Sequence, residues 1–251
     1  MNGNAKLPRI FVDDGAQFSA LCQQWREAES LALDTEFVRT STFYSNIGLL
    51  QIADLHACYL VDPLRISDWT EFSLLLSDSR CCFVIHSCSE DLNLLFTALK
   101  VLPARVFDTQ IAAAFLNMGY SVSYQSLVSE LLGIDVVKDE TRSDWLRRPL
   151  TDTQIAYAAA DVDYLLQLQA LLEQQLQDKG VLEWFAGECE QRIRMAPEFE
   201  EKKNWQSLYA GFSNAWRLSD EGLRMLQNIK QLHQKHNCIH RSCNCLVHNA
   251  H

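Results

Sequence analysis

The sequence predicts an α/β protein with a mixed sheet, and two observations carry this prediction. Three apolar runs of strand length, LALDTEF (31–37), IGLLQIA (47–53) and ACYLVD (57–62), are separated only by turn-like residues, which favours antiparallel pairing among them. Beyond Pro63, strand-like runs such as CCFVI (81–85) alternate with helical patterns. Because such alternation is typical of parallel strands, we expect both kinds of pairing in one sheet covered by helices.

The clearest helix begins after Thr151. This threonine forms a capping box with Gln154 three residues later, and the apolar residues that follow recur at helical spacing. Gly180 provides a C-terminal stop signal. The pattern therefore predicts one long helix at about 152–178.

The composition is that of a globular protein with an acidic surface. The chain has 251 residues, of which 32 are acidic and 22 basic, so its formal net charge is -10. This balance argues against a protein that coats nucleic acid with a broad basic surface, but it permits an enzyme that grips a few nucleotides through bound metal ions. The uncharged stretches are broken by polar residues, so we expect no membrane segment. The nine cysteines form no disulfide framework, which indicates reduced thiols and a cytoplasmic protein.

Acidic residues in two motifs suggest metal chemistry. Asp34 and Glu36 lie two apart in an otherwise apolar run, so both carboxylates project from one face of the strand. The alternative is a strand end that exposes them to water. Ser89 is placed to cap a helix, which puts Glu90 and Asp91 in its first turn, where the helix dipole favours negative charge. For Glu90 that structural role is sufficient.

A third motif, YAAAD, lies on the Thr151 helix. Tyr157 and Asp161 are four residues apart, which places them on one face of that helix. An isolated pair of this kind is more often a solvated polar edge, and the pair gains significance only from the other two motifs.

In this order, the motifs DTEF, HSCSEDL and YAAAD resemble the three exonuclease motifs of the DEDD superfamily in its tyrosine form. The run LALDTEFVRTSTFYSNIGLLQIAD, followed by VDPL, DTQIAAAF, RSDWLRRPLT and YAAADVDYLL, is similar to bacterial ribonuclease D, a 3′ to 5′ exoribonuclease. The resemblance covers residues from about 9 to 195. It implies a ribonuclease H-like mixed sheet flanked by helices.

The resemblance also implies a role for each motif residue. Asp34 would bridge two divalent cations, Glu36 and Asp161 would complete the first site, and Asp91 would hold the second ion through water. Tyr157 would orient the attacking water. Four carboxylates offer only hard oxygen ligands, which suit Mg²⁺ or Mn²⁺.

Further residues are expected to contact the substrate near its 3′ end: Arg39, Gln110, Arg142, Trp145 and Arg148. Guanidinium groups bind phosphate and an indole stacks on bases. For the segment KDETRSDWLRRPL the alternative is a solvated loop with a buried tryptophan anchor. For Gln110 the alternative is a side chain that satisfies backbone groups.

Beyond about residue 195 the resemblance weakens. We expect an exonuclease domain at 1–195, a charged linker at 196–204, a partial helical segment at 205–232 that resembles the start of an HRDC module, and an unstructured Cys/His-rich tail at 233–251. The tail's cysteine and histidine spacing fits no standard zinc site.

Taken together, the sequence predicts a metal-dependent 3′ to 5′ exoribonuclease that acts on RNA, with the 3′ maturation of tRNA precursors as the implied role. We expect a monomer. Two alternatives stay open: a DNA-directed exonuclease of the same superfamily, and a non-catalytic RNA-binding relic.

Overall fold

The computed structural model describes residues 7–38, 46–136 and 143–201. The chain divides into two units, Met1–Pro197 and Glu198–His251, and the described residues lie almost wholly in the first. The predicted helical segment at 205–232 and the predicted tail at 233–251 lie outside the described residues, so both stay predictions.

Six strands form a single sheet in the order β1-β4-β3-β2-β5-β6. The strands are β1 (Arg9–Val12), β2 (Ser30–Val38), β3 (Asn46–Ala53), β4 (Cys58–Val61), β5 (Cys82–Ile85) and β6 (Val106–Asp108). The three consecutive strands β2, β3 and β4 pair antiparallel, whereas β1 with β4, β2 with β5 and β5 with β6 pair parallel. The predicted mixed sheet is therefore confirmed.

Eight helices among the described residues cover the sheet. They are α1 (Gly15–Trp25), α2 (Thr70–Leu76), α3 (Ser89–Leu99), α4 (Thr109–Phe115), α5 (Tyr124–Leu132), α6 (Asp152–Ala160), α7 (Leu165–Asp178) and α8 (Leu182–Glu201). Helices α1, α2 and α3 pack on one face of the sheet, α4 to α7 pack on the other, and α8 contributes to both cores. No helix in this described part of the chain is long and apolar enough to cross a membrane.

The alternation of side chains along β2 assigns its residues to these two faces. Leu31 and Leu33 belong to the core beneath α1 to α3, and Ala32 belongs to the core beneath α4 to α7. Because successive strand residues point to opposite faces, Asp34 and Glu36 lie on the same face as Ala32. That is the face on which α6 packs.

The predicted single helix at about 152–178 is wrong, since residues 161–164 form a break between α6 and α7. The Tyr124 hydroxyl lies in this break. It donates to the carbonyl oxygen of Ala160 at 2.9 Å and accepts from the backbone N–H of Tyr164 at 3.2 Å. A polar group inserted into the helical hydrogen-bond ladder is a known cause of a sharp bend. Here the group is the Tyr124 hydroxyl, which belongs to α5, so the sequence of residues 152–178 does not predict the break.

Two further boundaries differ from the predictions. The linker expected from residue 196 overlaps α8, which continues to Glu201 with Pro197 inside it.

The proposed cap at Ser89 is also wrong, because Ser89 is the first residue of α3 and Cys88 precedes it without a side-chain cap. The Asp108 carboxylate instead accepts from the backbone N–H groups of Ser87 and Cys88, at 3.1 and 2.8 Å. The turn before α3 is thus held from the end of β6.

The segment before α6, residues 143–150, lies against β3. A Cβ atom added at Gly48 would come within 2.5 Å of the Trp145 Cβ and 2.7 Å of the Trp145 carbonyl oxygen. Real Cβ atoms do not approach backbone so closely, so glycine at this position permits the contact between the segment and the strand.

We expect the substitution Gly48→Ala to lower the free energy of unfolding by about 1–3 kcal/mol, the usual cost of overpacking against backbone. Gly187→Ala on α8 is the matched control, because nothing lies within 4 Å of its added Cβ. Removing a glycine from a helix should raise stability by roughly 0.5–1 kcal/mol. Urea denaturation of both variants measures this, and equal stabilities would show that the segment does not pack against β3.

Candidate functional site

The site lies where the sheet divides around β2. Parallel pairing with β5 ends at Ala32, whereas pairing with β3 continues to Val38. Beyond Ala32, β2 is therefore paired on one side only, at the end of the sheet where the parallel strands β2 and β5 have their carboxyl ends. Open α/β sheets bind ligands outside the carboxyl ends of their strands.

Three carboxylates lie close together at this end of the sheet. Asp34 and Glu36 come from β2, and Asp161 is the residue that ends α6. One carboxylate oxygen from each residue can be chosen such that all three lie within 4.8 Å of one another. We call these three residues the acidic cluster. The break after α6 matters here, because it terminates the helix at Asp161.

Asp91, the fourth acid, is linked to β2 through a side-chain hydrogen bond. It lies in the first turn of α3, is 6% exposed, and accepts this hydrogen bond from the Thr35 hydroxyl. Thr35 stands between Asp34 and Glu36, so the contact holds Asp91 next to the part of β2 that carries two members of the cluster. Asp91 is not one of the three grouped ligands, yet its charge is the strongest of the neighbouring charges that raise the pKa of Asp34.

All four acids hold their protons more tightly than usual. Burial is the largest cause in each case, and it raises the pKa of Glu36 to about 8 and those of Asp91 and Asp161 to about 7. The pKa of Asp34 is also raised, by burial and then by Asp91, Asp161 and Glu36. Among the described residues, no lysine or arginine forms an ion pair with any of the four.

Tyr157 lies one helical turn before Asp161, on the same face of α6, and is half-buried. Burial and then the charges of Asp161, Glu36 and Asp34 raise the pKa of its hydroxyl well above the ordinary value of 10. Its ring packs against Trp145, with ring centroids 6.2 Å apart. The hydroxyl group therefore stays protonated at neutral pH in the metal-free protein, and its ring is held from outside the helix.

These residues fit a divalent cation. Carboxylate oxygens are the ligands that Mg²⁺ and Mn²⁺ prefer, and unscreened negative charge favours a cation. A second observation agrees: Gln51, directly opposite Asp34 in the β2–β3 ladder, is 0% exposed, and neither amide atom has a hydrogen-bond partner among the described residues. Because a buried amide normally has a partner, this group is suited to a water of a hydrated ion.

Of the residues expected to contact the substrate, the structure describes Gln110, Trp145 and Arg148, and each of them contacts other parts of the protein. Trp145 is 3% exposed and packed against Tyr157, so it is the buried anchor and not an exposed stacking platform. The Arg148 side chain is bound to protein acceptors through all of its N–H donors, which leaves none for a phosphate. These two expectations are corrected to structural roles. Gln110 donates from its side-chain amide to the Val122 carbonyl at 3.1 Å, and Arg39 and Arg142 lie outside the described residues.

Sequence reasoning missed Thr35, Asp108 and Tyr124, which position the acids or the elements that carry them, and Gln51, whose buried amide lies opposite Asp34. The signal for Thr35 and Gln51 was a polar residue inside an apolar strand run, LALDTEF or IGLLQIA. Asp108 also caps α4 locally, by accepting from the N–H groups of Gln110 and Ile111. Its bond to Cys88 and the contacts of Tyr124 join groups that are distant in the sequence, and no local pattern predicts them.

Comparisons with known proteins agree with this geometry. Residues 10–177 match the model of a family described as 3′-5′ exonuclease. Ribonuclease D of Pseudomonas paraeruginosa is 40% identical over 219 residues, which is 87% of this chain and 57% of the relative, and ribonuclease D of Escherichia coli K12 is 38% identical over the same shares. The chain thus spans a little over half the length of these relatives. The resemblance to ribonuclease D is confirmed.

Solved structures show the same fold. The crystal structure of Escherichia coli RNase D, described as an exoribonuclease involved in structured RNA processing, matches with a TM-score of 0.76 and 36% identity, covering 85% of this chain and 56% of that one. The catalytic core of RRP6 from Trypanosoma brucei matches in fold, with a TM-score of 0.71 and 23% identity, covering 74% of this chain and 52% of that one.

The raised pKa values predict how the free energy of unfolding depends on pH. In the unfolded chain Glu36 titrates near pH 4.3, whereas in the folded protein its pKa is about 8. Between these values the folded state binds a proton that the unfolded state lacks, so the free energy of unfolding falls as pH rises from about 4 to 8. The Glu36 contribution is fully present at acidic pH and lost at alkaline pH.

We therefore expect Glu36→Gln to become progressively more stable than the wild type as the pH is raised from 5 to 8 without divalent cations. Thermal unfolding of both proteins across this range measures the difference. The exposed residue Glu183 provides the control substitution, Glu183→Gln, which should give a constant difference. A constant difference for Glu36→Gln as well would contradict a buried carboxyl group with a raised pKa.

Proposed function

Because the chain belongs to the 3′-5′ exonuclease family, we propose that it hydrolyses the terminal phosphodiester bond at RNA 3′ ends and releases nucleoside 5′-monophosphates. The observation that carries the proposal is the acidic cluster, three carboxylates with oxygens within 4.8 Å of one another. Asp91, held to β2 through Thr35, and Tyr157, one helical turn before Asp161, complete the proposed set of residues.

In this proposal the carboxylates hold divalent cations. Asp34, Glu36 and Asp161 would hold one ion, and Asp34, together with Asp91 through water, would hold a second. Mg²⁺ and Mn²⁺ are the cations that an all-oxygen donor set suits. When bound, such a pair supplies an activated water and stabilises the charge that develops on the phosphate. The protein's own contribution is to hold the four carboxylates at fixed positions before the ions arrive.

Tyr157 is proposed to orient the attacking water. A hydroxyl group that stays protonated cannot serve as the base, but it can accept and donate hydrogen bonds and so fix where the water lies. Its position beside Asp161 and its raised pKa support this role. A water held in line with the bond to be broken reacts faster than one that samples many orientations.

RNA is the proposed substrate, since relatives at 35–40% identity are named ribonuclease D. We also propose 3′ maturation of tRNA precursors as the role, which is what the resemblance to that family implies. DNA is the alternative substrate. We further propose a monomer in the cytoplasm. The six cysteines of the described residues are buried free thiols, which supports a reducing compartment.

We expect the wild-type protein to release 5′-monophosphates from the 3′ end of a labelled single-stranded RNA only with Mg²⁺ or Mn²⁺ present, and EDTA to abolish the release. Asp34→Asn should abolish activity while metal-free stability at neutral pH stays the same or rises, because the change removes one of several repelling carboxylates. Asp178→Asn, an exposed change at the end of α7, is the control and should be fully active.

Two outcomes would overturn the assignment. Near wild-type turnover in Asp34→Asn would remove the acidic cluster from the reaction, and an inactive wild type that still binds RNA would support the non-catalytic alternative. A DNA strand of matched sequence, assayed in parallel, distinguishes the two substrates, and faster degradation of the DNA would favour the DNA-directed exonuclease.

We expect Tyr157→Phe to lower the turnover number by a factor on the order of 10² or more, with little change in stability, because the ring is kept and only the hydroxyl is lost. Tyr120→Phe is the matched control, since Tyr120 is 90% exposed. Single-turnover hydrolysis measures both variants. Unchanged turnover in Tyr157→Phe would show that Tyr157 is only a packing residue.

A further inference from the structure

We propose that Arg148 is a positioning residue that acts through Trp145 on Tyr157. It clamps the segment 143–150 onto the sheet, and the clamped segment holds the Trp145 ring against the Tyr157 ring. The inference rests on the proposed function of Tyr157, and it assigns to Arg148 a task within the protein where its sequence context indicated contact with RNA.

The Arg148 guanidinium has a complete set of acceptors. Its Nε and one Nη donate to the two carboxylate oxygens of Asp62, at 2.7 and 2.6 Å. The same Nη also donates to the Gly48 carbonyl at 2.7 Å, and the other Nη donates to the carbonyls of Trp145 and Arg147 at 2.8 and 2.9 Å. These five bonds use all five N–H donors of the side chain.

The acceptors belong to three parts of the fold. Gly48 lies on β3, Asp62 follows β4, and Trp145 and Arg147 belong to the segment itself. The arginine thus joins two neighbouring strands to the chain that leads into α6. A bidentate pair with a 3% exposed carboxylate is geometrically demanding. Lysine has three donors on a flexible stem and cannot reproduce such a fork.

The clamped segment in turn contacts the proposed water-orienting residue. Trp145 is 3% exposed, and its ring centroid lies 6.2 Å from that of Tyr157, within the range of aromatic contact. The start of α6 is tied to the same segment, since the Gln154 side-chain amide donates to the Asp144 carbonyl at 3.4 Å. The clamp therefore relates the position of Tyr157 to β3, and β3 pairs with the strand that carries Asp34 and Glu36.

Loss of the fork should reduce the turnover number and not the affinity for RNA. A displacement of about 1 Å in a reacting group can lower a rate by 10²-fold. We expect Arg148→Lys to lower kcat at least tenfold while KM for a short RNA changes less than twofold. Arg80→Lys is the matched control, because Arg80 forms an equally bidentate pair with Asp78 in an exposed position.

A double-mutant cycle tests whether the effect passes through Tyr157. In the Tyr157→Phe background, which lacks the hydroxyl to be positioned, Arg148→Lys should change kcat less than twofold. The same fold loss in both backgrounds would overturn the proposal, as would an unchanged kcat in the wild-type background. A rise in KM alone would restore the interpretation that Arg148 contacts RNA.

Two further measurements keep the outcome decisive. Asp62→Asn weakens the bidentate Arg148–Asp62 pair by changing the acceptor, and it should reproduce the loss of kcat. This variant tests the proposal if Arg148→Lys does not fold. In protein with isotope-labelled tyrosine, the Tyr157 ring resonance, identified by its loss in Tyr157→Phe, should shift in Arg148→Lys and Asp62→Asn but not in Arg80→Lys. An unmoved resonance refutes the positioning role. An inactive wild type refutes only the proposed function, because the resonance still reports the ring.

Discussion

The site requires partly buried groups of like charge to be held close together. Asp34, Glu36 and Asp161 each place an oxygen within 4.8 Å of the others, and burial raises the pKa of each. Such an arrangement costs free energy in the absence of a cation. The remainder of the fold therefore has to hold β2 and the end of α6 together against the electrostatic repulsion between their carboxylates. A cation that binds there finds its ligands already in place.

The supporting contacts achieve this without adding positive charge to the cluster. Thr35 binds Asp91 through a neutral hydroxyl, and Tyr124 holds the break after α6 through another. Arg148 does carry a charge, but Asp62 compensates it through two hydrogen bonds. The negative charge of the cluster is consequently left for the cation, and the positioning is done by hydrogen bonds, packing and one internally neutralised pair.

The segment around Trp145 shows why composition alone cannot assign a role. Cationic and aromatic residues in a polar stretch are typical of a nucleic-acid-binding segment, but the same residues can also attach a loop to its own domain. The deciding feature is the location of the acceptors. The partners of Arg148 lie 100 residues away at Gly48 and 86 residues away at Asp62, and no local pattern reports contacts at such separations.

The sequence by itself determined the features that depend on local spacing. Runs of strand length predicted the mixed sheet, residues two apart on β2 placed Asp34 and Glu36 on one face, and residues four apart on α6 did the same for Tyr157 and Asp161. Only the tertiary structure decided that these faces meet, that α6 ends just before Asp161, and that Asp91 contacts β2 through Thr35. The physical reason is that spacing along the chain sets the direction of a side chain within its own element, whereas the distance between elements is set by packing and by hydrogen bonds such as those of Tyr124 and Arg148, which join residues far apart in the sequence.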